Sequence, residues 1–366
     1  MALADRIGLI QRIQELRGSK VITYLTSDRR FFPPGFPLPG LPTQLSTEAQ
    51  SFIYDQVQSI GRNDNLDLFI YTRGGDTDSV WPLVSILREF TRVKFSVLIP
   101  FRCHSGGTLI SLGANEIVMG EAGELSPIDP TTGNQFNPVD EQNPQRRKGI
   151  SVEDVTSYIE LAKDPSKVGL KDSGHILEVF KRLSQEVHPI ALGNVYRAHT
   201  QIRILADKLL KMHLNGDEEK PRIDRIVDYL TRGLYSHIHA INRREAKEVL
   251  GADIVKEADG ELQDFIWQLY QQYAQSLSFH ETLCIDSLAV SGQQLHDLNI
   301  IGGFIETENQ SFLYNTQCRV TIFPNIPQGV QVQIPPGQPV PLIPGLPITF
   351  NVSVLSIGWK LNTQGV

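Results

Sequence analysis

An α/β fold built on a mostly parallel sheet is what this sequence predicts, and three observations predict it. Strand-like and helix-like segments alternate between Lys20 and Met119, the pattern of successive βαβ units. One apolar strand, Leu66 to Tyr71, runs out into Thr72-Arg73-Gly74-Gly75. The next, ending at Ile99, leads through Pro100 to Cys103 into His104-Ser105-Gly106-Gly107-Thr108 and an apolar helical run.

Met1 to Arg6 opens a short amphipathic helix. Lys20–Leu25 is rich in β-branched residues and reads as a strand. Phe31 to Pro42 carries so many prolines that it forms neither a helix nor a central strand. Thr47 with Gln50 three residues on predicts a capping box for a helix running to Ile60. Then follow the strand Leu66–Tyr71, the helix Val80–Phe90, the strand Lys94–Ile99, the helix Gly106–Leu112 and the strand Glu116–Met119. Asp129 to Gly149 is polar, holds proline and glycine, and reads as a loop over the site. Helical periodicity dominates Val152–Lys163, Ile176–Leu183, Ile190–Met212 and Ile223–Leu230, with Asp217 to Lys220 as a solvated connection. Arg243–Leu250 and Leu262–Ser278 are two further helices. Past Asn309 the runs Arg319–Phe323, Val330–Ile334 and Thr349–Leu355 are strand-like between prolines and glycines, a small antiparallel β-module. The expected division is 1–260 for the main domain, with its N-terminal arm, 261–308 for a helical extension and 309–366 for the β-module.

The 366 residues are 40% hydrophobic and 20% charged, with 34 basic and 41 acidic side chains giving a net charge of −7. No global basic field argues for nucleic acid. Cys103, Cys284 and Cys318 are odd in number and lack metal-ligand spacing, so a reduced cytoplasmic setting without a structural metal is expected. No apolar stretch reaches the ~20 residues needed to span a bilayer. No Gly-x-Gly-x-x-Gly follows a strand, so no dinucleotide cofactor is expected.

The residues from Leu66 to Asp129 resemble the Clp-protease proteolytic subunits and their crotonase-like superfamily. The stretches that carry the likeness are Tyr71 to Gly75, His104 to Ala114 and Leu125 to Pro130. Val187 to Gly193 and His237 to Gly251 narrow it to the serine dehydrogenase proteinase family. The likeness covers roughly residues 20–260. It implies a spiral of βαβ units, a serine peptidase acting on peptide or protein, and a homo-oligomer compatible with an ATPase or adaptor partner. In the Clp subunit the triad order along the chain is Ser, His, Asp. Here the position 24 residues after Ser105 is Asp129, and the segment before Glu245 and Ala246 carries His237 and His239. The resemblance therefore implies the order Ser, Asp, His, and a triad is defined by geometry rather than by order.

Ser105 is accordingly the candidate nucleophile, with the N–H groups of Gly75 and Gly106 as the oxyanion hole. Taken alone, Ser105 reads first as the N-cap of the following helix; Gly74-Gly75 one βα unit upstream turns the reading to the nucleophile. Asp129 and His237 are the candidate orienting acid and base; Asp129 before Pro130 would also make an ordinary turn. His239 is an alternative base, on the same face as His237 if the chain is extended. Lys148, 43 residues after Ser105, is a second alternative, because signal-peptide-peptidase-like and stomatin-cleaving relatives pair Ser with Lys. That lysine would need desolvation, and Arg146-Arg147-Lys148 also reads as a solvated basic patch. His104 projects away from Ser105, His188 starts a helix, and Cys103 packs as a small apolar residue. Two other readings stay open: a crotonase-like acyl-CoA enzyme holding an enolate with paired N–H groups, and a silent Clp-like scaffold. The apolar loops Phe31–Pro42 and Pro341–Pro347 are candidate contact surfaces.

Overall fold

The computed structural model describes residues 3–32, 44–128, 131–141, 147–232, 239–290, 292–325, 342, 347–363 and 365. Apolar side chains spaced for one helical face form α1 (Leu3–Arg17), whose Ile10 and Ile13 are buried. β1 (Lys20–Thr26) follows, then α2 (Ala49–Ile60), β2 (Asn63–Tyr71), α3 (Val80–Glu89), β3 (Thr91–Ile99) and the short β4 (Arg102–Cys103). Next come α4 (Gly106–Leu112), β5 (Glu116–Met119) and the short β6 (Glu124–Leu125). A helical region holds α5 (Val152–Lys163), α6 (Ser173–Glu186), α7 (Pro189–Leu210) and α8 (Lys220–Arg232). The chain returns through β7 (Ile241–Asn242), α9 (Arg243–Leu250), β8 (Val255–Glu257) and α10 (Gly260–Ser276). It ends in the long strands β9 (Leu295–Glu306), β10 (Ser311–Pro324) and β11 (Ile348–Leu361).

Among the described residues the main sheet has the order β8-β5-β3-β2-β1-β9-β10-β11. β8 to β1 are parallel neighbours, with Tyr24 beside Ile70 and Leu98 beside Val118. Their side chains alternate between faces. Val21, Leu25, Phe69 and Leu98 pack on α1 and α10. Ile22, Tyr24, Leu68, Ile70 and Val97 pack on the layer that holds α2, α3, α4 and parts of α7, α8 and α9. The expected mostly parallel α/β architecture is what the chain adopts.

The three C-terminal strands join this sheet rather than standing beside it. β1 pairs antiparallel with β9, Tyr24 against Ile305, and β9, β10 and β11 continue antiparallel. A buried ion pair clamps the join. Arg6 of α1 donates to both oxygens of Glu306 at 2.9 and 2.7 Å, and Tyr273 and Ser311 each donate to the same carboxylate at 2.6 Å. Leaving either charge without its partner in this interior would cost about 3–5 kcal/mol.

Local departures have local causes. Glu48 precedes α2 in helical conformation and makes no side-chain cap. The expected Thr47–Gln50 capping box is replaced by a turn in which Gln50 N–H donates to the Thr47 carbonyl at 3.2 Å. The polar stretch after Pro130 folds back on itself, Thr131–Thr132 pairing with Ile150–Ser151. The strand expected over Val330–Ile334 lies outside the described residues, as do residues 33–43 and most of the apolar loop from Pro341 to Pro347.

Candidate active site

The carboxyl ends of β2 and β4 meet at a single bridge, where Thr72 N–H donates to the Arg102 carbonyl at 3.0 Å and His104 N–H to the Thr72 carbonyl at 3.0 Å. The chain after β4 then reverses tightly. Gly107 N–H donates to the His104 carbonyl at 2.8 Å, closing a turn with Ser105 at its second position. Ser105 has φ 49° and ψ −109°, the conformation of the second position of a type II′ turn, which glycine normally fills. Holding an L-residue there costs about 1–3 kcal/mol. Helix α4, buried over its whole length, supplies the packing that keeps it so.

That backbone settles the N-cap reading of Ser105. A capping serine has extended backbone, and its side-chain oxygen accepts from the first helical N–H groups. Ser105 does neither: its side chain makes no cap, and its Oγ hydrogen-bonds to no described residue. The hydroxyl is therefore unengaged at the tip of a strained turn.

The backbone around it is stripped of side chains by necessity. Gly74 has φ 103°, and a Cβ on it would stand 2.7 Å from Ser105 Cβ and 3.2 Å from Ser105 Oγ. Gly75 has φ 147°, and a Cβ there would meet Leu45 N at 2.3 Å. Leu45 donates to the Gly74 carbonyl at 2.7 Å and accepts from Asp76 N–H at 3.0 Å, so in this parallel bridge the Gly75 N–H points away from Leu45. The Gly106 N–H begins α4 and has no carbonyl within the helix to bond. The two glycines adjoin: a Cβ on Gly106 would lie 3.6 Å from Gly75 N.

A buried hydroxyl network fixes the turn from behind. Ser126 Oγ accepts the Ser105 N–H at 2.8 Å, Ser126 N–H donates to Thr108 Oγ1 at 3.1 Å, and Thr108 Oγ1 bonds the Cys103 carbonyl at 3.0 Å. Cys103 is fully buried, and burial pushes its thiol up to about 12, so it packs as an apolar residue. Its Sγ stands 2.8 Å from where a Gly107 Cβ would be.

His104 turns to the opposite side. Its Nε2 lies 3.1 Å from Glu124 Oε1, a contact that is an ion pair only when the ring is protonated. Burial, with Arg73 and Arg102 nearby, pulls its imidazole below the ordinary value against the pull of Glu124. Arg102 spans from Glu124 at 3.1 Å to Asp28 at 2.9 Å.

Of the other sequence candidates, Asp129 and His237 lie outside the described residues. His239 is described: its Nε2 is 2.9 and 3.2 Å from the two oxygens of Glu245, which also accepts Tyr229 OH at 2.6 Å. Lys148 is exposed, its backbone held by Pro138 and Asn137, whereas a dyad lysine works only when desolvated. His188 caps α7, accepting the Ile190 N–H at its Nδ1. Ser126 and Glu245 went unassigned from the sequence, although each lies inside a stretch that carried the resemblance. No group of metal-ligating side chains occurs among the described residues, and no helix among them is long and apolar enough to cross a membrane.

Residues 1–166 match the family described as ClpP-like SDH-type serine proteinase. Two proteins of Methanocaldococcus jannaschii, both designated uncharacterized, are similar over 270 residues. MJ0137 is 24% identical over 74% of this chain and 79% of its own length, and MJ1495 is 26% identical over 74% and 78%. Among solved structures, two mutants of the 1510-N membrane-bound stomatin-specific protease are similar at a TM-score of 0.34. One is 11% identical and covers 65% of this chain and 80% of its own; the other, in complex with a substrate peptide, is 12% identical and covers 64% and 75%.

Proposed function

We propose, from the match of residues 1–166 to the ClpP-like SDH-type serine proteinases, that this protein is a serine peptidase with Ser105 as its nucleophile. Ser105 Oγ attacks the scissile carbonyl, and the N–H groups of Gly75 and Gly106 receive the oxyanion. A histidine of the His237–His239 segment takes the hydroxyl proton and returns it to the leaving amine, with a carboxylate behind it, Asp129 in the order the family resemblance implies. The acyl-enzyme is then hydrolysed by water. The observation that carries this reading is Ser105 itself, at φ 49° with an unengaged hydroxyl beside two glycines that cannot bear a side chain.

The proposed setting is the cytoplasm, in keeping with the free state of Cys103, Cys284 and Cys318, and the proposed active form is a homo-oligomer. Assembly is supported by the exposed outer edge of β11, where Leu355 and Ile357 are 55% and 44% exposed.

The test is hydrolysis of an unstructured, fluorescently quenched protein substrate by the full chain and by Ser105→Ala. Cleavage that disappears in the variant, while its thermal melt is unchanged, supports the reading. Cleavage equal in both forms sinks it, as does absence of cleavage together with hydrolysis of an acyl-CoA ester.

A further inference from the structure

A cavity of about 410 Å³ opens beside α10, on the side of the sheet opposite α4. Its walls are aromatic. Trp267 and Tyr270, three residues apart on α10, have ring centroids 5.1 Å apart, and Phe101, just past β3, meets Tyr270 edge-on at 5.8 Å. Three hydrogen-bond donors line the same space: the Trp267 indole N–H and the side-chain amides of Gln271 and Gln275. None of these donors is bonded to another described residue.

Aromatic faces flanked by idle donors suit proline. Its ring packs on aromatic rings, and a proline-rich segment keeps its carbonyl acceptors while lacking the N–H groups that would answer them. An acyl chain would leave all three donors unpaired, and an organic cation would find one carboxylate, that of the exposed Glu281. The chain itself carries a segment of the fitting kind. Pro335-Pro336-Gly337-Gln338-Pro339-Val340-Pro341 holds four prolines in seven residues, and no charged side chain occurs between Arg319 and Lys360. Pro336 and Pro339 are three apart, the spacing that sets both on one edge of a polyproline helix.

The attachment of this stretch decides whose cavity it meets. β9 pairs with β1 over Gly303–Glu306, and from Leu295 to Ile301 it pairs with β10 alone. β9, β10 and β11 thus run on as an arm beyond the body. Leu342 packs on that arm against Val320, which stands opposite His296, about 20 Å past the last pair with β1. Gln338 is four residues from Leu342, a reach of at most about 14 Å. The cavity lies back in the body, its Tyr270 ring 5.4 Å from that of Tyr71, the neighbour of Leu25 in β1. The stretch therefore falls short of its own cavity and is presented to a neighbour.

We propose that the cavity walled by Phe101, Trp267 and Tyr270 binds the Pro335–Pro341 stretch of a second copy of this chain. Pro336 and Pro339 lie against the rings, and Trp267, Gln271 and Gln275 donate to carbonyls of the stretch. The contact is independent of the peptidase reading, since it uses neither Ser105 nor a base.

The experiment is photo-cross-linking of the full chain with p-benzoylphenylalanine in place of Gln338, read on a denaturing gel and by mass-spectrometric mapping. The expected product is two chains joined from residue 338 of one to the Trp267–Gln275 part of α10 in the other. Trp267→Ala cuts its yield about tenfold or more. Gln271→Glu combined with Gln275→Glu, at two exposed positions where the fold tolerates the change, cuts it about tenfold, as does Pro336→Ala combined with Pro339→Ala. An α10 adduct confined to single chains places the stretch in its own cavity and overturns the role of the second copy. An adduct mapped elsewhere, no adduct, or a yield unmoved by the paired glutamine changes overturns the site. If Trp267→Ala melts far below the wild type, the glutamine variant decides.

Discussion

Ser126 holds the backbone of Ser105: its Oγ accepts the Ser105 N–H at 2.8 Å and donates to the Pro127 carbonyl at 2.9 Å. The hydroxyl is buried, so removing it leaves an amide with no acceptor beside a strained turn. Loss of such a bond is worth about 1–1.5 kcal/mol, and the turn it holds is the one that aims the nucleophile. Ser126→Ala is expected to slow fluorophosphonate labelling of Ser105 by about tenfold and to lower the melting temperature by a few degrees. An unchanged labelling rate in a folded variant would mean that the packing of α4 alone holds the turn.

Gly74 offers a sharper test, because the space opposite Ser105 is closed. A methyl group there meets Ser105 Cβ at 2.7 Å in a backbone at φ 103°, so either the turn or the end of β2 must move. Gly74→Ala should slow labelling at least tenfold and cost about 1–3 kcal/mol of stability. The matched control is Gly8→Ala in the middle of α1, where an added methyl meets nothing within 4 Å. That change should raise stability by about 0.5–1 kcal/mol and leave labelling as it was. Equal labelling in the two variants would remove Gly74 from the site.

The contrast between Ser105 and its supports explains what the sequence could tell. The alternation of β1, α2, β2, α3 and β3 was legible because each element buries one face in a local, periodic pattern. Ser105 and the two glycine pairs were legible because they sit together in two short stretches at strand ends, where close backbone approach leaves room only for glycine beside the serine. Ser126 acts from 21 residues away through one hydroxyl, and Glu245 reaches His239 across the junction of β7 and α9, so neither leaves a local pattern. The same holds for β9. Its strand character was missed, and its antiparallel pairing with β1 joins segments some 280 residues apart, a partnership decided by the buried Arg6–Glu306 contact and by packing.

His213 ties the helix that begins at the nucleophile to the helical region behind it, donating from Nε2 to the Leu112 carbonyl at 2.9 Å. Burial, aided by Arg88 and Arg222 and opposed by that hydrogen bond, brings its pKa down to about 4 from 6.5. The folded state thus keeps the neutral ring, whereas the unfolded chain takes up a proton at the ordinary value. Stability from this residue is whole above about pH 6.5, falls as the pH drops towards 4, and levels off below. Urea unfolding at pH 7 and about pH 4.5 should show the wild type losing about 2 kcal/mol more than His213→Gln does. Identical losses would mean that the ring is hydrated in solution.

β11 is where assembly is most open to test. The strand is 14 residues long, and Lys360 is its single charge. Among the described residues it closes the sheet order, and Val354, Leu355, Ile357 and Leu361 are 38–55% exposed along it. A long apolar edge of this kind pairs with another strand unless charge or proline blocks it. Antiparallel pairing with a second copy about Val354 and Leu355 would set Lys360 against Thr349, whereas parallel pairing would set Lys360 against itself. The antiparallel, two-fold arrangement is therefore favoured, and it makes the interface self-complementary. Leu355→Lys combined with Ile357→Lys adds two charges to the strand on each copy. Light scattering after size exclusion should then give a smaller assembly than the wild type, with the melt of the remaining fold retained. A wild-type mass equal to one chain would remove the oligomer from the proposed function. An oligomer of the same mass in the double variant would place its contacts elsewhere than on β11.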